Sequence, residues 1–141
     1  MTLIEILVVL SIMAIGAALV VPMVSGSGAS TGDLKAAARQ IAAGLRLARS
    51  EAVAKRHETT VTLDLEARTF RVAGEGRDVA LPPKVDLKLF TAQSDLLNER
   101  QGAIRFYPDG GSNGGRVTVS SGERKFEVDV DWLTGRVAIL D

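Results

Sequence analysis

From Ile6 to Val21 the chain carries one polar side chain, Ser11, and one residue with no side chain, Gly16. Extended to Val24, this run reaches the length a helix needs to cross a hydrocarbon core of about 30 Å. A helix buried in a soluble core is usually shorter and keeps a polar stripe. A cleaved secretory signal opens on basic residues, and no Lys or Arg occurs before Lys35. A retained membrane helix fits the length best.

One carboxylate, Glu5, stands at the entrance to this run. An ionised acid in hydrocarbon costs several kcal/mol unless something compensates it. Glu5 either reaches back to the interface and caps its own helix, where the dipole favours negative charge, or meets a positive group on another helix inside the membrane. The residues alone leave both options open.

The remainder of the 141-residue chain is enough for one modest core. Its 17 basic and 17 acidic side chains cancel, so no global field steers it toward nucleic acid or an anionic surface. The lack of cysteine excludes a disulfide framework, a thiolate nucleophile and a cysteine-bound zinc.

After Pro22 the serine and glycine residues of 25–33 predict a flexible hinge. Asp33 offers a helix cap. Beyond it Leu34, Ala38, Ile41, Leu45, Ala48 and Ala52 fall at steps of four and three, which predicts an amphipathic helix over 34–57. Lys35, Arg39, Arg46 and Arg49 line an adjoining basic strip, read first as a solvated face.

From Thr60 onward the period changes to two. Val61 and Leu63, Phe70 and Val72, Val85, Leu87 and Leu89, Ile104 and Phe106, Val117 and Val119, Phe126, Val128 and Val130, then Val137 and Ile139 alternate with polar neighbours. Strands with one wet face have this pattern. Their links, including Pro82-Pro83 and Pro108-Asp109-Gly110-Gly111, are short and turn-like, so hairpins between antiparallel neighbours are expected. The fold class is α+β: a long amino-terminal helix, membrane half plus amphipathic half, packed on an antiparallel β head over 58–141.

Sites for chemistry are few. His57 is the only histidine and falls at the helix-to-strand junction. Asp129 and Asp131 alternate along one strand and read as solvated residues rather than an acid/base pair. The stretch Tyr107 to Gly115 matches neither a phosphate loop nor an EF-hand, although Asp109 and Asn113 are candidates for a loop contact. Trp132 is expected to anchor the core. No catalytic residue, metal or cofactor is expected, and so few aromatics argue against nucleic-acid binding.

Thr2-Leu3-Ile4-Glu5-Ile6-Leu7-Val8-Val9-Leu10 resembles, nearly letter for letter, the mature amino terminus of type IV pilins and type II secretion pseudopilins. Phe106 to Gly115, followed by Val128-Asp129-Val130-Asp131-Trp132-Leu133-Thr134-Gly135-Arg136-Val137, resembles the carboxyl-terminal pattern of the GspH/FimT family of minor pseudopilins and pilus relatives. The resemblance implies a minor pseudopilin of the H type, with a minor pilin of a type IV pilus as the alternative. It places the stem (1–24) in the bacterial inner membrane and the head in the periplasm. Met1, where the family usually has phenylalanine, would match the residue exposed by prepilin peptidase and then methylated. Glu5 would pair with the amino terminus of a neighbouring subunit during assembly. Leu3, Leu7, Leu10, Pro22, Leu34, Ile41 and Leu45 would pack the helix, with the chain bending or unwinding around Pro22. Implied partners are other major and minor pseudopilins, the inner-membrane assembly platform and lipid before assembly, with a secreted protein or the secretin as further contacts.

Overall fold

The structure, a computed structural model, describes residues 2–24, 28–91, 97–98 and 100–141, with 16–24 described by backbone alone. Helix α1 runs Leu3–Val24, carrying through Pro22 rather than breaking there. The Thr2 hydroxyl accepts from the Glu5 N–H at 3.2 Å, capping the first turn. Ser11, the polar residue within the apolar run, donates its hydroxyl to Leu7 O at 2.8 Å, which satisfies it inside the helix. Every residue from Thr2 to Ile15 is exposed. Among the residues described with side chains, no helix is long and apolar enough to cross a membrane.

Helix α2 runs Thr31–Lys55. Its cap is Ser30, not the expected Asp33. The Ser30 hydroxyl accepts from Asp33 N–H, and the Asp33 carboxylate accepts from Ser30 N–H, each at 3.1 Å. This reciprocal box starts the helix three residues early, because the acid serves best at the third position. Of the stretch expected to be a hinge, residues 25–27 lie outside the described residues. Ala29 is buried, and its N–H donates to the Ser121 hydroxyl at 3.0 Å, so the helix entrance is fastened to the head. At the other end Arg56 turns left-handed with φ 54°, ending the helix before His57, which is exposed.

The head contains two four-stranded antiparallel sheets. The first has the order β3-β2-β1-β5, built from β1 (Thr59–Asp64), β2 (Thr69–Val72), β3 (Val79–Ala80) and β5 (Gln101–Phe106). The second has the order β4-β6-β7-β8, built from β4 (Asp86–Thr91), β6 (Gly115–Ser121), β7 (Arg124–Val130) and β8 (Val137–Leu140). Links β1–β2, β2–β3, β6–β7 and β7–β8 are hairpins. The links at Pro82-Pro83 and at Pro108 to Gly111 are not, because each carries the chain from one sheet to the other. A short link brings the next strand close; it does not oblige that strand to join the same ladder.

The stripe Leu34, Ala38, Ile41, Leu45, Ala48 and Ala52 is fully buried on α2. It packs on Val61, Leu63, Ile104 and Phe106 of the first sheet and Val117, Val119 and Val128 of the second. Each large aliphatic in this layer is worth about 1.5–3 kcal/mol in apolar surface removed from water. Gly44 leaves the space that the Phe70 ring fills against the helix.

Candidate functional site

Leu34, Ile41 and Leu45 lie in the core beneath α2, and the other candidate site residues fall in two regions: the stem, and the corner where the β5–β6 and β7–β8 loops meet α2. On the stem, Leu3 is 77% exposed, and Leu7 and Leu10 are exposed as well, so none of them packs on the head. Glu5 borders a shallow depression of about 250 Å³ walled by Ile6, Val9 and Leu10. A continuous exposed aliphatic surface such as this one marks a face for contact with another protein or a membrane. The Pro22 side chain and Met1 lie outside the described residues.

At the corner, Pro108 sets the bend of a tight turn closed by Gly110 N–H donating to Tyr107 O at 2.9 Å. Gly110 takes φ 90°, a conformation glycine adopts without strain. The Asp109 carboxylate accepts from Gly111 N–H at 2.8 Å. Asn113 works on the neighbouring strand: its Oδ1 accepts from Arg105 N–H at 2.9 Å, its N–H donates to Arg105 O at 3.2 Å, and its Nδ2 reaches the Thr91 hydroxyl at 3.3 Å. Asp109 and Asn113, read as loop contacts, thus hold the loop together. Among the described residues no group of three or more His, Asp or Glu side chains is placed to hold a metal.

The second loop is shaped by Asp131, whose Oδ1 accepts from Leu133 N–H at 2.8 Å and Thr134 N–H at 3.3 Å. Ser112 N–H donates to Trp132 O at 3.0 Å, joining the two loops. Gly135 takes φ 70° and sits so close to the Gly110 carbonyl that a Cβ there would collide with it. Asp129 and Asp131 have separate tasks, since Asp129 lies on β7 beside Arg116 at 3.2 Å and Asp131 starts the turn. Trp132 is 68% exposed and is not the expected core anchor. Strand β7 ends at Val130, so the alternation that would have turned the indole inward no longer applies. Trp132 and Phe90, 79% exposed, instead flank an open groove of about 770 Å³ over the Arg116–Asp129 pair.

Two arginines of the basic strip are not simply solvated. Arg49 Nε donates to Gly110 O at 3.0 Å and Thr134 O at 3.2 Å, tying both loops to α2. Arg46 Nη2 donates to Val137 O at 3.2 Å. Lys35 and Arg39 stay exposed. The spacing could not single them out, because Lys35 and Arg39 follow the core positions Leu34 and Ala38 just as Arg46 and Arg49 follow Leu45 and Ala48.

Residues 37–134 match the model of the family described as type II transport protein GspH. The chain belongs to this family. The matched region takes in α2 from Ala37, both sheets up to β7 and the corner as far as Thr134, and stops short of the stem. The GspH-family chain is 32% identical over 136 residues to the type II secretion system protein H of Xanthomonas campestris pv. campestris, covering 96% of this chain and 79% of that one. Its fold is similar to the minor pseudopilin EpsH from the type 2 secretion system of Vibrio cholerae (TM-score 0.60, 14% identity, 77% of this chain and 95% of that one). It is equally similar to the type IV minor pilin FimU of Pseudomonas aeruginosa (TM-score 0.60, 17% identity, 78% and 89%). These two structures establish the pilin-like fold of the GspH-family chain.

Proposed function

We propose that this chain, a minor pseudopilin of type II secretion, occupies a place at or near the tip of the pseudopilus and there supports export of folded proteins across the outer membrane. Its work is structural and calls for no catalysis. The observation that carries the reading is the joining of an exposed aliphatic stem, bearing Glu5, to a head of the GspH family. The stem would rest in the inner membrane as a single span, with the head in the periplasm, until it enters the filament.

In that filament Glu5 would act as a latch. An acid and an ammonium buried together offset each other's desolvation, whereas either one alone is penalised, so the pair rewards one register between adjacent stems. The counter-charge would be the amino group of a neighbouring subunit, freed by prepilin peptidase at the position matching Met1. Leu3, Leu7 and Leu10 would then bury against adjacent stems, while Leu34, Ile41 and Leu45 already hold α2 to the head. Other major and minor pseudopilins and the assembly platform are the proposed partners, with secretin or secreted protein touching the head.

Membership of a type IV pilus is the second reading, favoured by the equal fold likeness to FimU. The relation to a secretion protein H along nearly the whole chain supports the first. Complementation decides between them. Restored export in a secretion strain lacking its H pseudopilin supports our reading; restored twitching or DNA uptake in a strain lacking its H-like minor pilin, without restored export, refutes it.

A further inference from the structure

We propose that Arg46, Arg49 and Arg136 form a receptor for a carboxylate carried on the surface of a neighbouring protein subunit. The inference rests on the filament reading only for who the neighbour is. The three arginines line a pocket of about 480 Å³ together with Ser50 and Gly135. Arg46 and Arg49 stand one turn apart on α2, and Arg136 faces them from the β7–β8 link.

Among the described residues no acidic side chain lines this pocket. Some cations of the head meet acids, Arg71 with Asp78 at 2.8 Å, Arg100 with Glu66 at 2.7 Å, Arg105 with Glu58 at 2.8 Å and Arg116 with Asp129 at 3.2 Å, while Arg68 and Arg124 are bonded singly elsewhere, to Val85 O and the Thr31 hydroxyl. Among the described residues, Arg46, Arg49 and Arg136 make no ion pair. What sets these three apart is their gathering at one concave place with no acid in its lining, which marks a site whose counter-charge comes from outside.

The backbone contacts prepare the site without filling it. Arg49 is held through Nε on two carbonyl oxygens, which leaves its terminal nitrogens for a ligand. Arg46 is steadied on Val137 O. Guanidinium groups fixed in this way lose little freedom on binding, and their planar donor forks match the two oxygens of a carboxylate.

The position favours a protein as the bearer of that carboxylate. Arg46 and Arg49 lie roughly 22 to 27 Å along α2 from its first residue, well beyond a headgroup zone of roughly 5–7 Å per leaflet. Duplex nucleic acid engages a track of phosphate-binding cations rather than a single hollow, and the chain's balanced charge gives it no long-range pull.

The test uses the full chain in detergent micelles and a fluorescent hexaglutamate peptide as probe. We expect saturable, salt-sensitive binding that weakens on the order of tenfold in Arg136→Gln and further in Arg46→Gln/Arg136→Gln. Lys35→Gln/Arg39→Gln removes the same charge from α2 outside the pocket and should bind as the parent does. Among the described residues Arg136 makes no side-chain hydrogen bond or ion pair, so its variant should keep the fold, which circular dichroism checks. Absence of peptide binding, or equal loss in the Lys35/Arg39 variant, overturns the receptor. So does arginine-dependent binding of phosphatidylglycerol vesicles, inorganic phosphate or duplex DNA in place of the peptide. A chain that restores export yet fails to bind the peptide refutes the receptor and leaves the pseudopilin reading standing.

Discussion

Asn113 completes the edge of β5 at Arg105, accepting its N–H at 2.9 Å and donating to its carbonyl at 3.2 Å. A single side chain and its own backbone N–H thus do the work of a strand where β5 leaves the first sheet and the chain crosses to the second. Asn113→Ala keeps the backbone bond but leaves the half-buried Arg105 N–H without Oδ1 and Thr91 without Nδ2. We expect a loss of about 1–3 kcal/mol in unfolding free energy, measured by chemical denaturation. A loss below about 0.5 kcal/mol would mean that water replaces the amide freely.

Gly135 and Gly122 give a matched comparison. Both have positive φ, 70° and 62°, but nothing lies near a Cβ at Gly122, whereas one at Gly135 collides with the Gly110 carbonyl. Gly122→Ala should cost about 1–2 kcal/mol from the left-handed backbone alone. Gly135→Ala should cost clearly more, since the two loops must also separate. Equal thermal midpoints for the two variants would show that the loop contact yields at no cost.

Trp132 stands beyond the end of β7 with its ring in solvent, and Phe106 is fully buried between helix and sheets. Trp132→Ala is therefore expected to cost less than about 1 kcal/mol, and Phe106→Ala about 3–5 kcal/mol. Urea titration of both variants measures the contrast, and a Trp132 variant as unstable as the Phe106 one would restore the indole to the core.

The contrast also marks where sequence patterns inform and where they stop. Periodicity located α2 and its buried stripe from Leu34 to Ala52, because a period of 3.6 is a property of the helix itself. It located strand faces from Val61 to Val130 for the same reason. It failed at Trp132, since alternation has no meaning past the end of a strand. It also failed at Pro82-Pro83 and Pro108, because the choice between two sheets is made by packing against α2 and not by the link. The Ser30 box was legible as a serine followed three residues later by an acid, yet the nearer Asp33 drew attention first. Arg49 was visible only as one charge among four, and what distinguishes it is the pair of loop carbonyls that tertiary structure delivers.

Asp64 carries the pH dependence that the head displays most directly. Its carboxyl is held below the ordinary carboxylate range first by the Ala67 N–H and then by the Gln101 amide, with the Glu66 N–H and the Arg100 charge adding less, against an opposing effect of desolvation. A folded-state value below the unfolded one means stability that is present above the unfolded pKa and lost as pH falls through the folded one. The head should therefore weaken below about pH 4. Asp64→Asn keeps an oxygen for the Ala67 and Glu66 N–H groups and removes the titration, so its stability profile should be flatter on the acid side. An acid limb as steep as that of the parent would place the titration on other carboxylates.

Glu5 is exposed on the stem, so its replacement should leave the head unchanged. If the stem spans the inner membrane as proposed, Glu5→Ala is expected to insert at least as readily, because removing a carboxylate from an apolar run lowers the cost of insertion. Under the proposed latch it removes the preference for one register, since an ammonium on the adjacent stem would then be buried without its partner, a loss of about 3–5 kcal/mol where the site is dry. Cysteine crosslinking between stems reads this directly: the variant should give membrane-bound protein with crosslinks to other pseudopilins reduced by more than about tenfold. Glu5→Asp separates charge from reach, because a shorter acid keeps the charge while shortening the side chain by one methylene. Partial rescue by Asp with none by Ala is the expected pattern, and full assembly of the Ala variant would show that the stems associate through aliphatic packing alone.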